Sequence, residues 1–353
     1  MLAYGLLSRP IDLAETPREV SMDVLSEVLR AVRLTGAIFF DVEQRAPWAA
    51  HTPAGAAIAS NVMPEAEHVI MFHAVTDGGL WAEVTDGSLP PLRVEAGDIL
   101  VVPNADAHVL CSSPGMRAPA DVSQYYRPAD RQLPFIVSPG DGQGERTHII
   151  CGYLGCDLRP FNPVLQSLPR LMHTPSDSGS GAISQLFRLA ADETSLLRSG
   201  GELVLSKIAE LIFVDVVRRH MQSLPPDASG WLSGLRDPHV GAALALLHGR
   251  PGEAWTVEAL ARDVGLSRSA FADRFSHFVQ ESPIHYLTRW RMQLAARRLE
   301  QHGLGIAQIA AEVGYDSDAA FNRAFKKCTG STPGVWRQNR LVTNGGSREV
   351  AKS

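Results

Sequence analysis

Apolar residues first recur at helical spacing, at Val24, Leu25, Val28, Leu29 and Val32, which predicts one amphipathic helix over residues 22–35. From Gly36 to about Leu154 the pattern changes to short β-rich runs: AIFFDV, HVIMFHAV, LWAEV, DILVVP, HVLC and THIICGYL. Turn residues (DGG, DGS, EAGD, PNAD) separate them, and many short strands with Gly and Asp punctuation predict an all-β sandwich or barrel. Residues 112–145, rich in Pro, Gly and Asp and carrying Tyr125 and Tyr126, lack periodicity and read as a long loop. Residues 175–181 form a polar linker by composition. Beyond it Ile183, Leu186, Phe187 and Ala190 mark one helix, and Leu203, Leu205, Ile208, Leu211, Ile212 and Val216 a longer one. The wide apolar arc of the second suits a core helix or a dimerisation helix equally, and Pro225-Pro226 ends it.

The last third of the chain repeats itself. Leu260-Ala261 recurs as Ile309-Ala310, Val264-Gly265 as Val313-Gly314, Phe271 and Phe275 as Phe321 and Phe325, and Pro283 as Pro333, with one extra residue in the second turn. Each copy reads as helix, glycine turn, helix. Gly265 and Gly314 supply the left-handed residue; Ser267, and Asp316 or Ser317, cap the next helix. Ala270, Phe271, Phe275 and Phe278 are expected inward in one copy, and Ala320, Phe321 and Phe325 in the other. A single helix from about Pro283 to Gln301 joins the copies. A helix-turn-helix sets the start of its second helix in the major groove, where small residues allow close approach and Arg or Asn read base edges. The candidate DNA contacts are therefore Ser267, Arg268, Ser269, Ala272, Asp273 and Arg274 in the first copy. In the second they are Ser317, Asp318, Ala319, Asn322, Arg323, Lys326 and Lys327. The alternative is a pair of helical hairpins without a nucleic-acid role, which the two copies with glycine turns and caps, together with a local basic excess, disfavour.

Composition narrows the class. With 45% hydrophobic and 20% charged residues among 353, wholesale disorder and a disulfide-dense scaffold are excluded. The net charge of -5 hides an asymmetry: residues 236–340 hold 14 basic against 10 acidic residues, whereas residues 1–235 hold 17 against 27. The repeat is the basic part, which makes double-stranded DNA its expected partner. Four cysteines at irregular spacing, an N-terminus without a signal-like pattern and no membrane-length apolar run predict a cytoplasmic protein.

The segments TVEALARDVGLSRSAFADRF, ESPIHYLTRWRMQLAARRL and GIAQIAAEVGYDSDAAFNRAFKKCTGSTPGVWR resemble the DNA-binding domain of AraC-type transcriptional regulators over about residues 237–340. The resemblance implies a bipartite domain that reads an asymmetric site with both recognition helices and activates transcription by touching RNA polymerase. The first outward face departs from a strongly basic pattern, since it includes Asp273. MDVLSEVLRAVRLTGAIFF, FHAVTDGGLWAEV, LRVEAGDILVVPNADAHVL and THIICGYL resemble the cupin-type sensor that precedes this domain in one AraC subgroup. Gly97 to His108 is similar to the second cupin motif, with Ala105 where glycine is usual. No HxH followed by Glu precedes Gly78-Gly79, so the alternative of a cupin enzyme tethered to DNA lacks its usual metal-ligand set.

His73, His108 and Cys151 each fall in an expected strand and offer imidazole and thiol groups suited to zinc or copper(I). The competing readings are hydrogen-bonded core residues, or a redox pair of Cys151 with Cys156 across a turn at Gly155. The expected architecture is α+β multidomain: an N-terminal tail (1–20), a cupin-like β-barrel or sandwich sensor (21–174), a helical connector (175–235), an all-α double helix-turn-helix domain (236–340) and a C-terminal tail (341–353). Its expected role is a homodimeric regulator responding to a small molecule, metal or redox signal.

Overall fold

The computed structural model describes residues 22–64, 66–125, 133–137, 142–176, 182–196, 198–301 and 303–340. Both expected tails, Tyr126 and most of the expected linker lie outside the described residues. Helix α1 (Val24–Ala31) comes first among the described residues, N-capped by Asp23, whose side chain accepts from the Ser26 amide. Then follow β1 (Thr35–Arg45), β2 (Ala49–Thr52), α2 (Gly55–Val62), β3 (His68–Asp77), β4 (Gly79–Val84), β5 (Leu92–Glu95), β6 (Ile99–Val102) and β7 (His108–Cys111). A single 3-10 turn (Ser123–Tyr125), β8 (Phe135–Val137), β9 (Arg146–Cys156), α3 (Pro163–Ser167) and β10 (Met172–Thr174) complete the β-rich part. The stretch expected to be irregular thus contributes β8, which pairs in parallel with β1, and the buried Tyr125. The strands β2, β5, β8 and β10 are four residues or fewer, too short to leave an alternation in the sequence.

The strands form two sheets, ordered β10-β6-β3-β9-β1-β8 and β2-β7-β4-β5. Side chains alternate between faces with period two, and both faces of the large sheet are covered. Met71, Val75, Ile149 and Tyr153 point into the interior between the sheets, while Ile70, Phe72, Ala74, Ile150 and Leu154 point into a second core. That is why β3 and β9 read as continuous apolar runs instead of alternating ones. The outer core is built by helices α4 (Ala182–Leu196) and α5 (Gly201–Ser223). The segment expected as a connector between domains therefore lies on the sensor sheet itself. Gly36 on β1 allows this closeness: a Cβ there would sit 2.6 Å from the Ser206 carbonyl oxygen of α5.

Among the described residues further helices follow: α6 (Trp231–Arg236), α7 (Pro238–Gly249), α8 (Val257–Asp263), α9 (Arg268–Val279), α10 (Pro283–Glu300), α11 (Ile306–Glu312) and α12 (Asp318–Thr329), and residues 333–340 are helical as well. The two repeat copies are α8–α9 and α11–α12, with α10 spanning both. Each turn is made alike. Gly265 (φ 73°) and Gly314 (φ 81°) are left-handed, and Leu266 N–H and Tyr315 N–H donate to Ala261 and Ala310 carbonyls. The second copy has its own core of Met292, Leu299, Ile309, Val313, Phe321, Phe325 and Trp336. The first does not: Phe271, Phe275, Tyr286 and Trp290 belong to the same continuous core as α1, α5 and the outer sheet face.

Candidate DNA-binding surface and sensor interior

Ser267 and Ser317 cap α9 and α12, their side chains accepting from the Ala270 and Ala320 amides at 3.3 Å each. This leaves the extra residue, Asp316, in the turn. Arg268, Ser269, Asp273 and Arg274 are exposed on α9, and Ala272 is half-buried. Ala270, expected inward, is exposed; the cap places it on the outer side of the first turn. The basic groups here are already engaged. Arg268 pairs with Glu258, and Arg274 grips Asp237, the N-cap of α7, with Nε 2.9 Å from Oδ2. Arg274 thus ties α9 to α7, and the guanidinium beside Asp237 helps hold that carboxyl below its ordinary range against the opposing effect of burial.

On α12, Asp318 and Ala319 are exposed at its start. Asn322 is half-buried and donates to the Asp318 carbonyl at 2.7 Å. Arg323, Lys326 and Lys327 are exposed, and among the described residues no carboxylate pairs with them. The two units are bolted together by Arg291 of α10. Its guanidinium donates to the carbonyls of Pro251 and Glu253, 2.6 Å each, and of Gly314, 3.3 Å. Gly314 itself lies against the Gly252 carbonyl, 2.5 Å from where a Cβ would stand. So the loop preceding the first unit packs on the turn of the second, and the two recognition helices keep one mutual orientation. Nothing in the sequence distinguishes Arg291 from the neighbouring arginines of that helix.

In the sensor interior the structure brings His73, His108 and Cys151 together. His73 and Cys151 face each other in register on β3 and β9, with Nδ1 3.0 Å from Sγ, and His108 reaches across from the other sheet, Nε2 to Nε2 at 2.7 Å. The proton positions follow from the last partner. His108 Nδ1 lies 2.8 Å from the Asp106 carbonyl, which only accepts, so that nitrogen carries the hydrogen. His108 Nε2 then accepts from His73, whose Nδ1 accepts from the Cys151 thiol. Every member is neutral, as burial dictates: it lowers His108 to about 4 and His73 well below the ordinary imidazole value, and pushes the Cys151 thiol up. His73 lies between its two partners, so their atoms do not converge on one point. Among the described residues no group of three His, Cys, Asp or Glu side chains could hold a metal ion. The expectation of a zinc or copper site from these three is corrected accordingly: they form a hydrogen-bonded chain linking the two sheets.

The redox pairing is corrected as well. Gly155 lies within β9 instead of at a turn, and five residues of extended strand separate Cys151 from Cys156 by about 16 Å. The odd spacing also sends them to opposite faces, Cys151 inward and Cys156 into the outer core. Ala105, in the motif position where glycine is usual, has φ 50°, which explains the preference there.

A cupin-like β-sandwich joined to paired helix-turn-helix units defines a two-part class of DNA-binding protein. A cupin family profile matches residues 23–222, and a helix-turn-helix domain profile matches residues 260–339. A Streptomyces lividans protein described as an AraC-like transcription regulator is 35% identical over 276 residues, 78% of this chain and 88% of its own. One from Streptomyces antibioticus, described in the same words, is 31% identical over 91% of this chain and all of its own. The crystal structure of the DNA-binding domain of AdpA in complex with a target DNA is 27% identical over 30% of this chain and 95% of that one, with a TM-score of 0.29. The chain belongs to the AraC family of transcriptional regulators, with a DNA-binding helix-turn-helix region and a cupin domain.

Proposed function

We propose that this regulator reads DNA chiefly through the second unit and uses the first mainly to set position. The observation that carries this is the contrast in free charge: Arg323, Lys326 and Lys327 stand uncommitted, whereas Arg268 and Arg274 are held by Glu258 and Asp237. Arg323 reads a base edge, and Asn322, Lys326 and Lys327 contact the same groove and its phosphates. The capped starts of α9 and α12 offer amides to the backbone. The cupin domain acts as a receptor for an effector instead of as a catalyst, and the protein works in the cytoplasm as an activator touching RNA polymerase. No helix among the described residues is long and apolar enough to cross a membrane.

Selection of duplexes from a random library by the full-length protein tests this reading. The selected site should lose affinity as salt rises, with Lys327→Ala reducing the logarithmic salt slope by about 0.9. Arg323→Ala should cost roughly 1–3 kcal/mol on the selected site and less on random DNA. Equal loss on both, or no enrichment at low salt, refutes the assignment. We also infer a homodimer through the outer face of α4 and α5, where Leu189, Leu196, Val204 and Leu211 are exposed. Leu211→Glu should then yield monomers in sedimentation velocity; an unchanged mass would place the dimer contact elsewhere or show a monomer.

A further inference from the structure

A cleft of about 820 Å³ opens between the sensor sheet, the end of α2 and the start of α5, outside the sandwich interior. Its size falls in the range of small-molecule sites. Ala37, Val62, Met63, Ala66 and Leu203 supply apolar walls, and Thr35, Asn61 and Ser206 supply scattered hydrogen-bonding groups. The charged groups on its rim are already engaged. Arg33 makes a two-pronged ion pair with Asp157, at 2.6 and 2.8 Å, and reaches Glu300 at 3.0 Å; Glu202 is also engaged. An ionic ligand would have to break these pairs, whereas an uncharged one would leave them whole.

The rim also connects the cleft to the DNA-binding half. Pro64 and Ala66, in the segment between α2 and β3, line both this cleft and a second one of about 490 Å³ facing Thr329, Gly330 and Trp336 behind the second unit. In the same segment Glu67 takes Arg159 of the sensor at 3.1 Å and Arg340 of the DNA-binding half at 2.5 Å. Both guanidinium groups lie against the Trp336 ring, at 5.8 and 5.1 Å from its centre. Arg340 continues to Glu300, at the end of α10, which Arg33 also holds. Arg33 is kept at φ 53°, a conformation costly for a side-chain-bearing residue, and its ion pairs hold it there.

We propose that this cleft is the effector site, that its ligand is an uncharged, mainly apolar small molecule, and that occupancy reaches the second helix-turn-helix unit through Glu67 and Arg340. The proposal rests on the effector-receptor role given above. A body entering between Val62 and Ser206 displaces the α2–β3 segment, and Glu67 moves with it. The ligand acts by favouring one of two placements of the Glu67–Arg340 contact, which joins the sensor to the end of the second unit, and the equilibrium shifts only by that preference.

The test uses the full-length protein and two dyes of one skeleton: uncharged N-phenyl-1-naphthylamine and its anionic 8-sulfonate. The uncharged dye should bind saturably, and the sulfonate at least about tenfold more weakly. Val62→Trp and Ser206→Leu, each filling the cleft from a different wall, should weaken the uncharged dye by at least about tenfold while keeping the wild-type melting profile. Glu67→Gln should bind the dye as wild type does, yet lose the change in affinity for selected DNA that the dye causes. No binding of the uncharged dye, equal binding of both dyes, or unaltered binding in either filling variant that melts as wild type overturns the site; a retained DNA response in Glu67→Gln overturns the route. Affinity for selected DNA without dye is measured in parallel, and its absence would strike the regulator reading without touching the dye result.

Discussion

Gln293 tests whether the sensor and the DNA-binding half are one cooperative body. Its side chain, 1% exposed in the middle of α10, serves two backbone groups of the sensor at once. Oε1 accepts from the Phe161 amide and Nε2 donates to the Ala31 carbonyl, each at 3.0 Å. Phe161 and Ala31 are themselves buried, so water does not replace either partner. Gln293→Leu keeps the volume and removes both bonds, stranding one donor and one acceptor. An unsatisfied buried polar group costs about 1–3 kcal/mol, so the variant should lose about 2–6 kcal/mol of interface stability. Scanning calorimetry of the full chain should show this as a lower first transition, separated from the unfolding of whichever half remains. Gln308→Leu, on the exposed face of α11, serves as the control. If Gln293→Leu melts as one transition within the control's range, the continuity of the core across the two halves is not energetic.

Two further outcomes follow from the same interiors. His108 and His248 are held by burial at about 4 and about 3, below the roughly 6.5 of an unfolded chain, so the folded state resists protonation that the unfolded state accepts. Full stability is therefore expected above pH 6.5 and is lost as pH falls toward those values, by about 3 kcal/mol in all for His108 and about 5 kcal/mol for His248, of which about 3 kcal/mol each is reached by pH 4.5. Urea midpoints from pH 7.5 to 4.5 measure it, and His248→Phe should flatten the slope; an identical slope would refute the burial argument. Ser317→Ala should remove about 1 kcal/mol by uncapping α12, with Ser267→Ala doing the same for α9. Urea titration reads this, and variants as stable as wild type would show that solvent replaces the caps.

The DNA-binding half was the more legible because its information is local. Glycine turns, serine caps and inward phenylalanines each report on a few neighbouring residues, and a repeat states them twice. The strands of the sensor were legible as runs, but not as faces: with both sides of the sheet buried, Cys151 and Cys156 look alike in sequence, and only the period of the strand separates them. His73, His108 and Cys151 could be named as chemistry-bearing residues, while their hydrogen-bond chain required the register of β3 on β9 and the opposite sheet's approach. Gln293, Glu67, Arg33 and Arg340 carried no signal at all. Their roles are contacts between residues up to 273 positions apart, made by side chains of ordinary type. Local sequence determined the long strands as runs and the paired helix-turn-helix units with their glycine turns and serine caps. Tertiary packing alone decided that two halves share a core, because burial and ion pairing depend on what the chain brings together.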